Sequence, residues 1–298
     1  MKDTIFTFKY EPKSFEDMIL DPITRERLAK TFETFPNLML IGPPGIGKGT
    51  FTNIFVQKTG LDFMKINCSD ETSIDNIRTK VKSFAMSLGI TSKKVVVLNE
   101  SDYLSLNAQA MLRDLMEQVQ DITRFIFCCN YGHKMIPELL SRCQVVELNN
   151  PPLKEIGKFI LNIIKKEKIK VANNDEIISL IKTYYPDIRR IVNTLQYNIV
   201  NGAINHIKMD NINSIHDEIL KAMKNGDINE IRKILRSNSI IYTELYQYLF
   251  ESVGDFNDPG NAIILIGEHL YRDAICAIKE INFVTMVVKM MRDKIVAN

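Results

Sequence analysis

The sequence predicts an α/β fold in which a parallel-sheet domain is followed by two helical domains. Three observations support this prediction: apolar runs typical of buried strands alternate with amphipathic segments, a glycine-rich turn follows the first of these runs, and the strand pattern vanishes after Pro151 and Pro152. Strands that alternate with helices in this way form a parallel sheet with right-handed crossovers. The predicted domains are residues 1–150, a small helical domain at 151–207 and a last helical domain at 208–298.

The first half of the sheet domain begins with a polar segment and a helix. The helix is predicted in DPITRERLAKTFETF because Leu28, Phe32 and Phe35 share one face. The strand NLMLIG follows and ends at the glycine-rich turn, after which helical spacing returns. The next strand candidate is FMKINC, and a helix is expected at about residues 73–88.

The second half of this domain contains two buried strands with a helix between them. The runs KVVVLN and RFIFCCN are uninterrupted and rich in β-branched or aromatic residues, as in strands covered on both faces. Between them, NAQAMLRDLMEQV has the spacing of an amphipathic helix. The sheet is expected to end near QVVELNNPP, and only short helices are predicted beyond it.

Composition excludes several classes of protein. The chain has 298 residues, of which 45% are apolar and 25% are charged, so extended disorder is excluded. No apolar run approaches the roughly 18 residues of a membrane span, and the first residues, MKDTIFTFKYEPKSF, lack the apolar centre of a signal peptide. A cytoplasmic protein without a membrane partner is therefore expected. The five cysteines show no CxxC spacing, which excludes a zinc site and a disulfide framework.

The clearest functional motif is the glycine-rich turn, Gly42-Pro43-Pro44-Gly45-Ile46-Gly47-Lys48. It stands between a strand and a helix, as a phosphate-binding loop requires. Glycines let backbone N–H groups converge on phosphate oxygens, and the N-terminus of the following helix favours the anion. Lys48 then reaches the β and γ phosphates, so the motif predicts ATP, with Mg²⁺, as the bound nucleotide.

Two positions depart from the usual form of such a site. Ser or Thr normally follows the lysine and holds Mg²⁺, whereas here Gly49 follows it and Thr50 comes one residue later as a possible metal ligand. The strand KVVVLN should end in Asp and then Glu, but it ends in Asn99 and Glu100. Glu100 is the candidate base, and Asn99 offers the metal shell only a neutral oxygen. We therefore predict retained nucleotide binding and slow hydrolysis.

Further segments follow this motif in order over nearly the whole chain. They are Lys9–Phe15, Asn67–Glu71, Asn99–Arg113, Asn130-Tyr131, Ser141-Arg142-Cys143 and Pro186-Asp187-Ile188-Arg189. Together with the glycine-rich turn, this series resembles the small ATPase subunits of sliding-clamp loaders, the AAA+ group that contains replication factor C small subunits and the T4-type phage loader. The resemblance implies an AAA+ P-loop domain, a helical lid domain and a helical collar domain for the three predicted domains.

The resemblance also implies roles for residues beside the adenine and beside the catalytic glutamate. Tyr10 and Pro12 correspond to residues that lie against the adenine, and Glu11 replaces the arginine that is usual between them. Asn67 corresponds to a switch residue that restrains the catalytic glutamate, here Glu100, until DNA arrives.

Three more residues correspond to groups that sense or stabilise phosphate. Asn130 corresponds to the sensor that touches the γ-phosphate or the attacking water. Arg189 corresponds to the second sensor, which contacts phosphate from the lid domain. Arg142 corresponds to the arginine finger, which reaches the ATP bound in a neighbouring subunit.

DNA and protein partners follow from the same resemblance. The net charge of +2 does not indicate nucleic-acid binding by itself, but the stretch from Asn76 to Asn99 contains no acidic residue. In the resembling loaders this helix faces primer-template DNA, which makes Arg78, Lys80 and Lys82 the implied phosphate contacts. Other clamp loader subunits, in a pentameric ring or spiral, and a sliding clamp are the implied protein partners. The short chain, rich in Ile, Asn and Lys, favours a phage origin and a host cytoplasm.

Three alternatives stay open at this point. A hydrolytically weak subunit that donates Arg142 to a competent neighbour is favoured by Gly49 and Asn99. A small-molecule kinase shares the GKGT sequence, but the arginine-rich lid of such kinases is missing. A helicase loader or Holliday-junction motor has the same fold, although the block from Asn67 to Arg78 favours the clamp loader.

Overall fold

The computed structural model describes residues 4–70, 74–87, 93–207, 212–238 and 240–296. The chain forms two compact units, Met1–Lys208 and Met209–Asn298. The first unit contains both the predicted sheet domain and the predicted small helical domain, and the division of these two at residue 150 stays a prediction.

The first unit contains a five-stranded sheet in which every neighbouring pair of strands is parallel. Its strands in chain order are β1 (Leu38–Ile41), β2 (Asp62–Asn67), β3 (Lys94–Asn99), β4 (Thr123–Cys129) and β5 (Gln144–Glu147). In space their order is β2-β3-β4-β1-β5. The α/β class and the parallel sheet predicted from the sequence are confirmed.

Helices lie before and between these strands, four of them at the predicted places, whereas the two helices of four residues are not predicted by the sequence. They are α1 (Phe6–Lys9), α2 (Pro22–Thr34), α3 (Lys48–Thr59), α4 (Ile74–Met86), α5 (Leu106–Gln118) and α6 (Pro137–Leu140). Two of them begin at side-chain caps: Asp21 accepts the N–H groups of Ile23 and Thr24 at the start of α2, and Ser105 accepts that of Ala108 at the start of α5. Such caps satisfy backbone donors that a helix leaves unpaired.

Both faces of the sheet are buried, which explains the uninterrupted apolar run of β3. Val95 and Val97 belong to the core cluster on one face, and Val96 and Leu98 belong to the cluster on the other. Successive side chains of a strand point to opposite faces, so a strand covered on both sides is apolar throughout. This central position holds the end of β3, and therefore Asn99 and Glu100, in a fixed place.

The rest of the first unit is mainly helical. Its helices are α7 (Leu153–Lys166), α8 (Asn174–Tyr184) and α9 (Ile188–Tyr197). Two strands, β6 (Lys170–Val171) and β7 (Ala203–Ile204), pair in parallel within this region. The expectation that no strand follows residue 150 is therefore wrong, because strands of two residues are too short to show alternation in the sequence.

The second unit is built from helices around its own core. In the part of this unit that the structure describes, the α-helices are α10 (Ile212–Lys224), α11 (Ile228–Ser237), α12 (Tyr242–Glu251), α13 (Pro259–Asp273) and α14 (Lys279–Arg292). Leu245, Tyr246, Phe283 and Met286 are fully buried between them. The helical character predicted for the last domain is confirmed over these residues.

Candidate nucleotide-binding site

The glycine-rich turn joins β1 to α3 and requires glycine at two of its positions. Gly45 and Gly47 have φ values of 75° and 106°, in the left-handed region that disfavours a side chain. A Cβ atom on Gly45 would lie 1.8 Å from Oδ1 of Asp187. Asp187 caps α9 by accepting the N–H of Arg190 at 2.9 Å. The turn thus lies in direct contact with the beginning of α9.

The ammonium group of Lys48 is held inside this turn. Its Nζ atom donates to the carbonyl oxygens of Gly42 at 2.6 Å and Pro43 at 2.9 Å, and to Oδ1 of Asn130 at 2.8 Å. Burial lowers the pKa of Lys48, because the charged form loses hydration. Since all three acceptors are neutral, the phosphate of a bound nucleotide would supply the opposite charge that favours the ammonium form.

Polar residues follow three neighbouring strands at the same edge of the sheet. Asn67 pairs with Asn99 at the ends of β2 and β3, and Asn130 follows β4. Glu100 comes directly after Asn99 with a φ of 54°. The carboxyl ends of parallel strands form the usual ligand-binding edge of such a sheet. These side chains therefore lie at the edge where the glycine-rich turn begins.

Hydrogen bonds fix two of these residues. The backbone N–H of Asn130 donates to Oδ1 of Asp102 at 3.2 Å, so Asn130 is held between Asp102 and Lys48. The Nδ2 atom of Asn67 donates to Oδ2 of Asp70 at 2.9 Å, and its Oδ1 accepts from the hydroxyl of Ser69 at 3.2 Å. A bond from Asn67 to Glu100, implied by the resemblance, stays a prediction.

One cavity of about 650 Å³ in the first unit is lined by most of the predicted nucleotide-site residues. The predicted residues that line it are Tyr10, Pro12, Pro44, Gly45, Ile46, Gly47, Lys48, Gly49, Thr50, Asn67, Asn99, Glu100, Asn130 and Arg189. Gly42 is buried next to the cavity, where a Cβ atom would meet Ile46 at 2.6 Å, and it contributes its carbonyl oxygen to Lys48. The residues chosen from separate parts of the sequence are thus brought together in one place.

Sequence reasoning missed the apolar wall of this cavity. It consists of Phe6, Phe8, Met18, Ile19, Phe159, Ile188 and Val192. These residues come from the N-terminal segment, α7 and α9, which are far apart in the sequence. An apolar residue at the start of the chain carries no signal that distinguishes a cavity wall from ordinary core.

The N-terminal segment reaches the cavity because it is attached to α7 and α9. The hydroxyl of Tyr10 donates to Oε1 of Glu167 at 2.5 Å, and Lys9 forms an ion pair with the same carboxylate at 2.6 Å. Burial, together with this hydrogen bond, raises the pKa of Tyr10 to about 12. The backbone N–H of Phe6 donates to Oε1 of Gln196 at 2.8 Å. These contacts fix Tyr10 beside the cavity.

Arg142 lies outside this cavity. Its Nε donates to Oε1 of Glu117 on α5 at 2.9 Å, its Nη2 pairs with the same oxygen, and its Nη1 donates to the carbonyl oxygen of Glu138 at 3.0 Å. The side chain is partly exposed. The structure therefore does not bring Arg142 to the nucleotide cavity of its own chain.

The basic residues predicted to contact DNA are exposed on α4. Ile77, Val81 and Ala85 form its buried face. At 100° per residue, Arg78 and Lys82 share one flank of this face, whereas Lys80 lies on the other flank.

Comparison with known proteins finds a family match that includes part of this cavity. The AAA family, described as the ATPase family associated with various cellular activities, matches residues 38–150, which include the glycine-rich turn, Glu100 and Arg142. A replication factor C small subunit from Methanococcus vannielii is 32% identical over 268 residues, which cover 86% of this chain and 82% of that protein. This chain belongs to the replication factor C small-subunit family.

Other relatives of this replication factor C small-subunit chain come from archaea and yeast. The replication factor C small subunit of Archaeoglobus fulgidus is 31% identical and covers 78% of this chain and 77% of its own length. Replication factor C subunit 4 of Saccharomyces cerevisiae is 30% identical and covers 77% of this chain and 75% of its own length. Family membership thus extends over most of the chain.

Solved structures support the fold of this replication factor C small-subunit chain. A RuvB variant from Thermotoga maritima superposes with a TM-score of 0.60 at 16% identity, over 84% of this chain and 93% of that one. The Thermotoga maritima RuvB Holliday junction branch migration motor gives 0.58 at 17% identity, over 80% and 85%. At these identities the likeness concerns the fold alone, and it confirms the predicted AAA+ architecture.

The metal donors of this replication factor C small-subunit chain are limited. Gly49 has no side-chain oxygen, Asn99 is neutral, and the hydroxyl of Thr50 donates to Oε1 of Glu11 at 3.3 Å. Over the described ranges, no three His, Cys, Asp or Glu side chains form a cluster that could hold a metal ion. These donors fit an ion that takes its negative ligands from nucleotide phosphates, as Mg²⁺ commonly does.

Among the described helices none is long and apolar enough to cross a membrane.

Proposed function

We propose that this chain is an ATPase subunit of a clamp loader, which uses ATP to place a sliding clamp on primer-template DNA during replication. The observation that carries this proposal is that the predicted catalytic groups lie in two separate places. Lys48, Glu100, Asn130 and Arg189 line one cavity, whereas Arg142 is held outside it by Glu117. A site whose arginine finger is held outside it is suited to completion by a neighbouring subunit. The names of the relatives, replication factor C small subunits, support the same role.

The residues of the cavity have different roles in phosphoryl transfer. The backbone of the glycine-rich turn and Lys48 bind the β and γ phosphates, and Arg189 contacts phosphate from the predicted lid domain at 151–207. Glu100 takes a proton from the attacking water, and Asn130 orients that water beside the γ-phosphate. Asn67 stands beside Glu100 at the neighbouring strand end and restrains it until DNA is bound.

The base of ATP lies between the N-terminal segment and the predicted lid. Tyr10 and Pro12 contact the adenine, and the apolar wall of the cavity excludes water around it. Asn99 and Thr50 are the protein donors that would hold Mg²⁺, which would offset the negative charge of the phosphates. Gly49 leaves this part of the site open.

Subunits of the proposed complex share their active sites. Arg142 of one subunit stabilises the charge of ATP bound in the next, so hydrolysis depends on assembly. The helical unit after residue 208 corresponds to the predicted collar, through which the subunits form a pentamer. Arg78 and Lys82, which share one flank of α4, contact the phosphates of primer-template DNA, which makes binding independent of base sequence, and Lys80 on the other flank contributes less to this contact.

A second candidate function is a hydrolytically weak subunit that binds ATP and donates Arg142 to a competent neighbour. The observation that favours it is the loss of two metal donors, Gly49 in place of a hydroxyl residue and Asn99 in place of an acid. Such a subunit would still use ATP binding to hold the assembly in one conformation.

The experiment that separates these functions is phosphate release by the purified chain with a partner subunit, a sliding clamp and primer-template DNA. Lys48→Ala and Arg142→Ala are compared with Lys58→Ala, an exposed lysine on α3 outside the cavity. The main proposal expects DNA-stimulated turnover that both site variants abolish and Lys58→Ala retains. ATP binding without turnover would favour the weak subunit. A chain that binds no ATP would overturn both functions.

A further inference from the structure

Glu11 places a carboxylate in the wall of the nucleotide cavity. It stands between Tyr10 and Pro12, and its Oε1 atom accepts hydrogen bonds from the hydroxyl of Thr50 at 3.3 Å and from Nδ2 of Asn53 at 3.3 Å. Thr50 is the third residue of α3, immediately after the phosphate-binding loop. The carboxylate is therefore attached to the helix whose N-terminus faces the phosphates.

A chain of polar contacts orients this carboxylate. The ammonium of Lys65 on β2 donates to Oδ1 of Asn53, so the amide nitrogen of Asn53 is turned toward Glu11. Both donors use the same oxygen of Glu11. Among the residues that the structure describes, none donates to Oε2, and this oxygen is available to a bound molecule.

The position of Glu11 along the cavity indicates which part of a nucleotide it meets. The glycine-rich turn and Lys48 mark the phosphate end, and the apolar wall around Phe159 and Val192 marks the end that accepts a base. Glu11 lies beside Thr50, two residues after Lys48, and belongs to the same N-terminal segment as Phe6 and Phe8 of the apolar wall. A carboxylate that faced phosphate would be repelled by it, whereas sugar hydroxyls are donors that a carboxylate accepts. An acid that accepts from ribose hydroxyls is a recurrent device in nucleotide sites.

We propose that Glu11 binds the ribose hydroxyls of the nucleotide and selects ribonucleoside over deoxyribonucleoside triphosphates. This inference rests on the proposed nucleotide site and adds its sugar specificity. A site built to bond a hydroxyl rejects the analogue that lacks it, because its own polar group is then left without a partner. Glu11 is already oriented by Thr50 and Asn53, so little ordering opposes the contact.

The test is equilibrium binding of ATP, 2′-deoxy-ATP and 3′-deoxy-ATP in the presence of Mg²⁺. The wild-type chain is expected to bind ATP about tenfold more tightly than at least one deoxy analogue, as expected for a hydrogen bond to a charged group. Glu11→Ala should bring this ratio close to one while ATP itself still binds, which also shows that the variant is folded. Glu11→Gln, which keeps an acceptor oxygen without the charge, should give an intermediate ratio.

Glu16→Gln is the matched control, because Glu16 is an exposed acid of the same segment outside the cavity. It should keep the wild-type ratio. Equal ratios in the wild type and Glu11→Ala would overturn the inference and leave the nucleotide site intact. A changed Mg²⁺ requirement without a changed ratio would also overturn it and assign the carboxylate to the metal shell. Failure of the wild-type chain to bind ATP would instead overturn the proposed function and, with it, this inference.

Discussion

At the scale of single residues, Gly49 offers the sharpest test of the altered metal site. A Cβ atom built on Gly49 meets no other atom within 4 Å, and the residue lies in the first turn of α3. Gly49→Thr should therefore fit, and its hydroxyl would restore the missing metal donor. We expect the Mg²⁺-dependent rate of hydrolysis to rise about tenfold. This is the lower end of the change in activity that follows from mutating a residue that supports a metal site. Single-turnover hydrolysis with and without Mg²⁺ measures this change.

Gly49→Ala is the control for this experiment, since it adds a Cβ atom and helix propensity without an oxygen. Gly45→Thr gives the opposite case, because its side chain would collide with Asp187 and weaken nucleotide binding. If Gly49→Thr and Gly49→Ala hydrolyse ATP at the same rate, the hydroxyl does not reach the metal. The predicted slow hydrolysis, where it is observed, would then have another cause.

Individual residues also show which parts of the site can be predicted from a sequence. The positions of Lys48 and Glu100 in the cavity were predictable because Lys48 begins α3 after the glycine-rich turn and Glu100 directly follows β3, so local spacing places both. The contact of Asp187 with Gly45 and the ion pair of Arg142 with Glu117 were not predicted. Both join segments that are distant in the chain, and no local pattern reports which partners a fold brings together.

At the scale of secondary-structure elements, burial explains why the sheet was predictable and the small strands were not. The strand β3 is covered on both faces, so its apolar run is unmistakable. The strands β6 and β7 contain two residues each and depend on pairing with one another, about thirty residues apart in the chain. Such pairing is a tertiary contact, and the sequence around it resembles an ordinary turn.

The positions of the basic residues around the helix α4 allow the proposed DNA contact to be tested. Arg78 and Lys82 share one flank, so a DNA backbone on that side would touch both, whereas Lys80 would lie away from it. DNA binding by the assembled complex should become less dependent on salt in Arg78→Ala and Lys82→Ala. Each lost phosphate contact lowers the slope of log K against log salt by about 0.9. Lys80→Ala should change the slope less.

Binding of primer-template DNA across a series of salt concentrations measures these slopes. A lower affinity with an unchanged slope would show that the variants act through the fold of α4. Equal effects of Lys80→Ala and Arg78→Ala would contradict an approach of the DNA backbone from one flank.

At the scale of the whole molecule, the ion pair of Arg142 with Glu117 is compatible with the proposed role of Arg142 between subunits. Arg142 and Glu117 are both partly exposed, and an exposed pair of this kind contributes at most about 1 kcal/mol to stability. The phosphates of a neighbouring ATP carry more charge than one carboxylate. In the proposed complex, transfer of Arg142 from Glu117 to that ATP would therefore cost little, and the pair would keep the guanidinium in place until assembly.

The proposed sharing of active sites between subunits predicts complementation between two inactive variants. Lys48→Ala lacks a phosphate site but keeps its finger, and Arg142→Ala lacks the finger but binds ATP. In assemblies that contain more than one copy of this chain, mixing the two should restore hydrolysis, because Arg142 of one variant completes the ATP site of the other. Random mixing gives about a quarter of neighbouring pairs the competent arrangement.

The measurement is phosphate release by each variant alone and by an equal mixture assembled with clamp and primer-template DNA. The double variant Lys48→Ala with Arg142→Ala, mixed with either single variant, is the control, since it offers neither group to a neighbour. Turnover in the mixture that exceeds the sum of the two variants supports an arginine that acts between chains. A mixture as inactive as its components, although both variants assemble, would mean that Arg142 does not serve a second copy of this chain.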